Sequence, residues 1–170
     1  RHINLDWLKN YKNPDGTMRN YNNLGGFPLN PYWMLNEFLN DDRRDRLIGY
    51  LSLKYRFTNW LNLSIRSGAD VYTDLRNERE GQKTPFRFGG YVRNAQYNVS
   101  EINTDALLTA SGKLSKDFTG SISAGASSYD KKYNESGSEG SNLIADGVYT
   151  VSNTSLQNGI FGSIRKRINS

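Results

Sequence analysis

The chain has 170 residues, enough for one domain with a core of its own, but only 36% of them are hydrophobic and Gly, Asn, Ser and Tyr recur throughout. No run approaches the roughly 18 consecutive apolar residues of a spanning helix, which excludes helical membrane proteins but not barrels, whose strands spend only every second residue on lipid. Cysteine is absent, which excludes disulfides and thiolate chemistry; the net charge of +5 comes from 22 Lys and Arg against 17 Asp and Glu, interleaved, so no nucleic-acid partner is expected.

Residues 1–43 hold many turn signals and few strand signals, and read as a loop. Asn13-Pro14-Asp15-Gly16 is a turn in which Pro presets φ and Asp-Gly accepts left-handed geometry. Gly25-Gly26 and Phe27-Pro28-Leu29-Asn30-Pro31 punctuate the chain again. Ile3–Leu8 and Trp33–Leu39 each suit a helical turn or a short strand. Tyr32, Trp33 and Phe38 give this loop two possible uses for its rings: packing within the loop, or contact area for a ligand or partner.

The organising element is 44–74. In its first arm Leu47, Gly49, Leu51, Leu53, Tyr55 and Phe57 fall on one face, opposite Ile48, Tyr50, Ser52, Lys54 and Arg56. In its second arm Leu61, Leu63, Ile65, Ser67, Ala69, Val71 and Thr73 oppose Asn62, Ser64, Arg66, Gly68, Asp70 and Tyr72. Side chains alternate along a strand, so this predicts a hairpin with one apolar and one polar side, turning at Thr58-Asn59-Trp60. Each arm is long: about thirteen residues, tilted by roughly 40°, rise about 33 Å, more than the roughly 25 Å apolar band of an outer-membrane barrel. Tyr55, Phe57 and Trp60 stand near the turn, where an interfacial aromatic girdle belongs.

Residues 75–99 read as a polar connection of mixed charge. A second hairpin is predicted over 100–133, with Ile102, Thr104, Ala106, Leu108, Ala110, Gly112 and Leu114 on one face of its first arm and a turn at Lys116-Asp117. Gly120, Ile122, Ala124 and Ala126 form a weaker apolar face on its second arm. Residues 134–163 read as another Ser-, Gly- and Asn-rich connection, and 164–170 as the start of a further strand. Short turns alternate with long connections, which is the outer-membrane barrel arrangement.

Catalytic chemistry finds no footing. His2 is the only histidine, no Gly-x-Ser-x-Gly elbow occurs, and the carboxylate pairs Glu37/Asp41 and Glu78/Glu80 sit in polar loops that solvate them. The chain is therefore expected not to be an enzyme and to need neither metal nor cofactor. What remains is binding and passage. Arg66, Asp70 and Tyr72 on the polar face, with Tyr32, Trp33 and Phe38 in the first loop, are the candidate contacts for substrate or partner. Lys54, Arg56, Asp74, Asn103 and Asp105 share the polar lining.

Asn30-Pro31-Tyr32-Trp33-Met34-Leu35-Asn36-Glu37, followed by Asp42-Arg43-Arg44-Asp45-Arg46-Leu47-Ile48-Gly49, resembles the SusC/RagA family of TonB-linked outer-membrane transporters. The resemblance continues through Leu53–Leu61 and returns at Gly147-Val148-Tyr149, Ser152-Asn153 and Arg165–Ser170. It implies a 22-stranded barrel in the bacterial outer membrane, preceded by a plug and a TonB box. It also implies import of glycans or peptides with a SusD-like surface lipoprotein. Nothing here resembles the plug or TonB box, so the chain reads as an internal barrel segment. Its expected partners are the rest of the barrel and plug, the TonB complex, outer-membrane lipid, the lipoprotein and the glycan or peptide substrate. The alternative is a soluble all-β binding or adhesion module, its apolar faces packed into a sandwich.

Overall fold

The computed structural model describes residues 5–20 and 29–170, so His2 and the signals at Gly25-Gly26 and Phe27-Pro28 lie outside the described residues. Two short helices, α1 (Leu5–Lys9) and α2 (Pro31–Glu37), precede five strands. These are β1 (Phe38–Arg56), β2 (Leu61–Glu80), β3 (Tyr91–Lys113), β4 (Thr119–Leu143) and β5 (Thr154–Asn169). They form one antiparallel up-and-down sheet in the order β1-β2-β3-β4-β5, open at β1 and β5. The fold is all-β, as the alternation predicts.

The strands outrun the predicted hairpins. Much of 75–99 and 134–163 is strand, leaving only 81–90 and 144–153 as the longer connections. Polar pairing, invisible to an apolar-periodicity reading, extends them: Arg93 meets Glu135 at 3.0 Å, and the Tyr91 hydroxyl donates to Glu139 at 2.7 Å. Gly137 belongs to the same stretch. A Cβ there would collide with the Asn94 carbonyl and the Ala95 backbone, so glycine is what lets β4 lie against β3.

The chain divides into two compact units. One comprises 44–73, 97–134 and 162–170 and carries both short turns. At 57–60 the Phe57 and Thr58 amides donate to the Leu61 carbonyl, and the Thr58 hydroxyl accepts from the Trp60 and Leu61 amides. At 114–118 the pattern recurs: Leu114 and Ser115 donate to the Phe118 carbonyl, and the Ser115 hydroxyl accepts from the Asp117 amide. A hydroxyl that closes its own turn is the reason Ser and Thr suit these positions. The strands of this unit are a single layer. Leu51 is 82% exposed, Leu114 80% and Ile122 76%.

The other unit, built from 1–43, 74–96 and 135–161, has a small core of Leu8, Met18, Trp33, Val92, Ala95 and Leu143. Asn30 organises it. Its side chain accepts from the Tyr32 amide at 2.9 Å as the cap of α2, and donates to the carbonyls of Leu8 and Arg19. Pro31 follows at the first helical position, where its missing N–H costs nothing. The 13–16 turn forms as predicted: the Gly16 amide donates to the Asn13 carbonyl at 2.9 Å, with Gly16 at φ +83°.

Candidate functional site

On the polar face of the turn-bearing unit, Arg46 and Asp70 meet across β1 and β2 as a two-pronged pair, the Arg46 Nε donating to Asp70 Oδ1 at 2.8 Å. Period-two geometry puts Tyr72 beside Asp70, and the guanidiniums of Arg44 and Arg46 lie 4.9 and 5.8 Å from its ring centroid. On β3 and β4 the ladder continues: Glu101 pairs with Lys131 and accepts from the Tyr129 hydroxyl, and Tyr97 packs against Tyr133 at 6.1 Å. Fixed charges and rings of both signs thus alternate along this face.

Arg66 sits elsewhere on the same face. With Tyr50, Ser52, Lys54, Ser64 and Asp105 it lines an open cavity of about 620 Å³. The lining offers hydroxyls, cations and a carboxylate, a donor and acceptor set suited to a hydroxylated or zwitterionic solute in water. The three predicted polar-face residues therefore fall into two places: Asp70 and Tyr72 in the arginine cluster, Arg66 in the cavity wall.

The predicted aromatic contacts of the first loop divide as well. Trp33 is fully buried, edge-on to Tyr11 at 6.1 Å with Lys12 Nζ 5.6 Å from its ring centroid, so its role is packing. Tyr32 and Phe38 are half-buried. Lys12 is held beside this ring by Glu37 at 2.9 Å, and that hydrogen bond pushes its amine up from the usual range.

Sequence reading missed a second cavity, of about 440 Å³, in the loop-bearing unit. Asn40, Asp41, Asn77, Glu78, Arg79, Asn94 and Tyr149 line it together with Leu39 and Val92. Arg79 lies 5.2 Å from the Tyr149 ring centroid, and burial pushes the Tyr149 phenol up. Near it Glu80 pairs with Arg87 at 2.7 Å, while burial raises its carboxyl. Tyr91 is pushed up to about 12, by burial first and then by its hydrogen bond to Glu139. The signal that would have found this cavity is a run of polar residues at strand spacing, which resembles a solvated loop when read alone.

Among the described residues no three His, Asp or Glu side chains cluster to hold a metal ion. Among the described residues no helix is long and apolar enough to cross a membrane, which says nothing of strands. Compared with protein-family models and with curated proteins, the chain matches none.

Proposed function

We propose that this chain is a wall segment of a TonB-dependent outer-membrane transporter of the SusC/RagA kind, importing glycans or peptides with a SusD-like lipoprotein. One observation carries the reading. A single-layered, up-and-down antiparallel sheet keeps one face of Leu47, Leu51, Leu53 and Ile122 uncovered, while the opposite face carries the ion pairs that cross-link β1 to β2 and β3 to β4. Contiguous apolar surface of this extent marks an interaction with lipid or another apolar partner. Strands of 16–25 residues exceed the usual five or six of soluble sheets and suit a tilted crossing of the bilayer.

In this reading the apolar face meets acyl chains and the polar face lines a watery interior. The Arg44–Arg46–Asp70–Tyr72 cluster and the Arg66 cavity then face solute and plug. Closure needs further strands, because an open edge in lipid strands its backbone groups at several kcal/mol each. The segment's duty is stiffness: paired strands fix the loops that meet substrate and lid, while energy arrives through the plug and TonB.

Reversible refolding of the whole barrel into lipid vesicles tests the facing. Leu51→Arg is expected to cost about 2–4 kcal/mol, and the adjacent Ser52→Arg much less. Equal costs overturn the assignment, and cooperative folding of the isolated chain in water without detergent favours the soluble module instead.

A further inference from the structure

The barrel reading leaves one charged cluster without a role. Asp130 accepts from Arg165 through both Nε and Nη2, at 3.1 and 2.7 Å, and from Arg167 Nη2 at 3.0 Å. Asp130 lies on the apolar face of β4, not the polar one. Period two puts it in line with Ile122, Ala124 and Ala126, and Ser123, Tyr129 and Lys131 occupy the other side, where they meet Thr109 and Glu101. The β4–β5 register agrees: the Ser127 and Ser170 backbones bond reciprocally, Ser128 meets Asn169 at 2.8 Å and Ser163 meets Asn134 at 2.8 Å. Lys132 follows Asp130 on the same face.

Height decides what this cluster meets. From Thr119, beside the short turn, to Asp130 the strand climbs roughly 28 Å, at about 3.3 Å per residue and a tilt near 40°. The apolar band is roughly 25 Å tall. The cluster therefore stands just beyond the acyl chains, at headgroup level, on the far side from the short turns. Its composition suits that place. Two guanidiniums share one carboxylate, and while the Asp130 side chain is 18% exposed, those of Arg165 and Arg167 are 51% and 55% exposed. Asp130 thus fixes two guanidinium forks without occupying all their donors, and such forks match the oxygens of a phosphate.

We propose that Arg165 and Arg167, held by Asp130 and flanked by Lys132, form an outward-facing site for the phosphate of an outer-leaflet lipid headgroup. The site rests on the barrel reading. It ties β4 and β5 to the membrane around them and fixes the height at which this part of the wall rides.

The test uses the intact barrel in phosphatidylcholine vesicles containing a phosphomonoester lipid, followed by native mass spectrometry of the lipid retained. Replacing both arginines, R165Q with R167Q, is expected to weaken retention roughly ten- to thirty-fold, the worth of two cations beside an anionic surface. A triple variant that adds D130N removes the stranded carboxylate and should show the same loss if the double variant folds poorly. Removing two polar-face charges instead, R56Q with K113Q, should leave retention unchanged. Unaltered retention in the triple variant, or an equal loss in the polar-face control, overturns the site. Inorganic phosphate displacing the lipid at equal concentration would make this a free-anion site and overturn the lipid assignment. A fluorophore at position 51 separates the two levels of argument. If a quencher dissolved in the acyl region fails to reach it, the barrel reading itself falls; if the quencher reaches it while arginine removal has no effect, only the lipid site falls.

Discussion

The two units solve the same problem by opposite means. In the unit of 44–73, 97–134 and 162–170, apolar side chains stay outside, and the cross-strand order comes from Arg46–Asp70, Glu101–Lys131 and Asp130–Arg165. In the unit of 1–43, 74–96 and 135–161, Trp33, Leu8, Met18, Val92 and Leu143 gather inward around Asn30. The first leaves its apolar face uncovered, whereas the second makes its own interior.

The sharpest way to break this contrast is Trp33→Ala, which should cost the loop-bearing unit about 3–5 kcal/mol. Amide hydrogen exchange should rise around α2 and leave the ladder from Leu61 to Val71 protected. The complementary change, Leu51→Arg, should cost about 2–4 kcal/mol in lipid and leave exchange around Asn30 unaltered. Gly137→Ala forces a methyl group into the Asn94 carbonyl and should cost about 1–3 kcal/mol, seen as a lowered denaturation midpoint with faster exchange of the β3–β4 amides. Asn30→Ala removes the α2 cap and should cost about 1–2 kcal/mol, read as loss of helical signal and earlier proteolysis.

The smallest effect is one of pH. The Tyr91 phenol titrates higher in the fold than in the unfolded chain, so its contribution is intact below the ordinary phenol range near 10 and is lost as pH rises toward about 12. Tyr91→Phe should abolish that part of the alkaline decline. Thermal unfolding across this window checks it, and an unchanged decline would assign it to other groups.

The fold's grammar was legible wherever apolar residues alternate. Leu47–Phe57 and Leu61–Thr73 announce their strands, and Thr58-Asn59-Trp60 and Lys116-Asp117 announce the turns. The extensions to Glu80, up from Tyr91 and on to Leu143 were hidden, because their order rests on pairs such as Arg93–Glu135, which sit far apart in sequence and are indistinguishable there from solvated charge. Trp33 shows the same limit in the other direction. An aromatic residue in a loop is equally suited to packing and to contact, and only the arrival of Tyr11 and Lys12 assigns it to packing. On the polar face Asp70 and Tyr72 were identified, yet Arg44 and Arg46, two positions beyond the obvious alternation, complete their cluster.

The order β1-β2-β3-β4-β5 lets each strand bond only to its neighbours in the chain. Excising one of them would force two same-direction neighbours together, with a connection too short to reverse. Excising a pair joined at 57–60 or 114–118 preserves the alternation of direction and rejoins the ladder. Such an architecture grows and shrinks by paired steps, so a gene that duplicates 91–143 or loses it changes the width of the sheet while leaving its two faces unchanged.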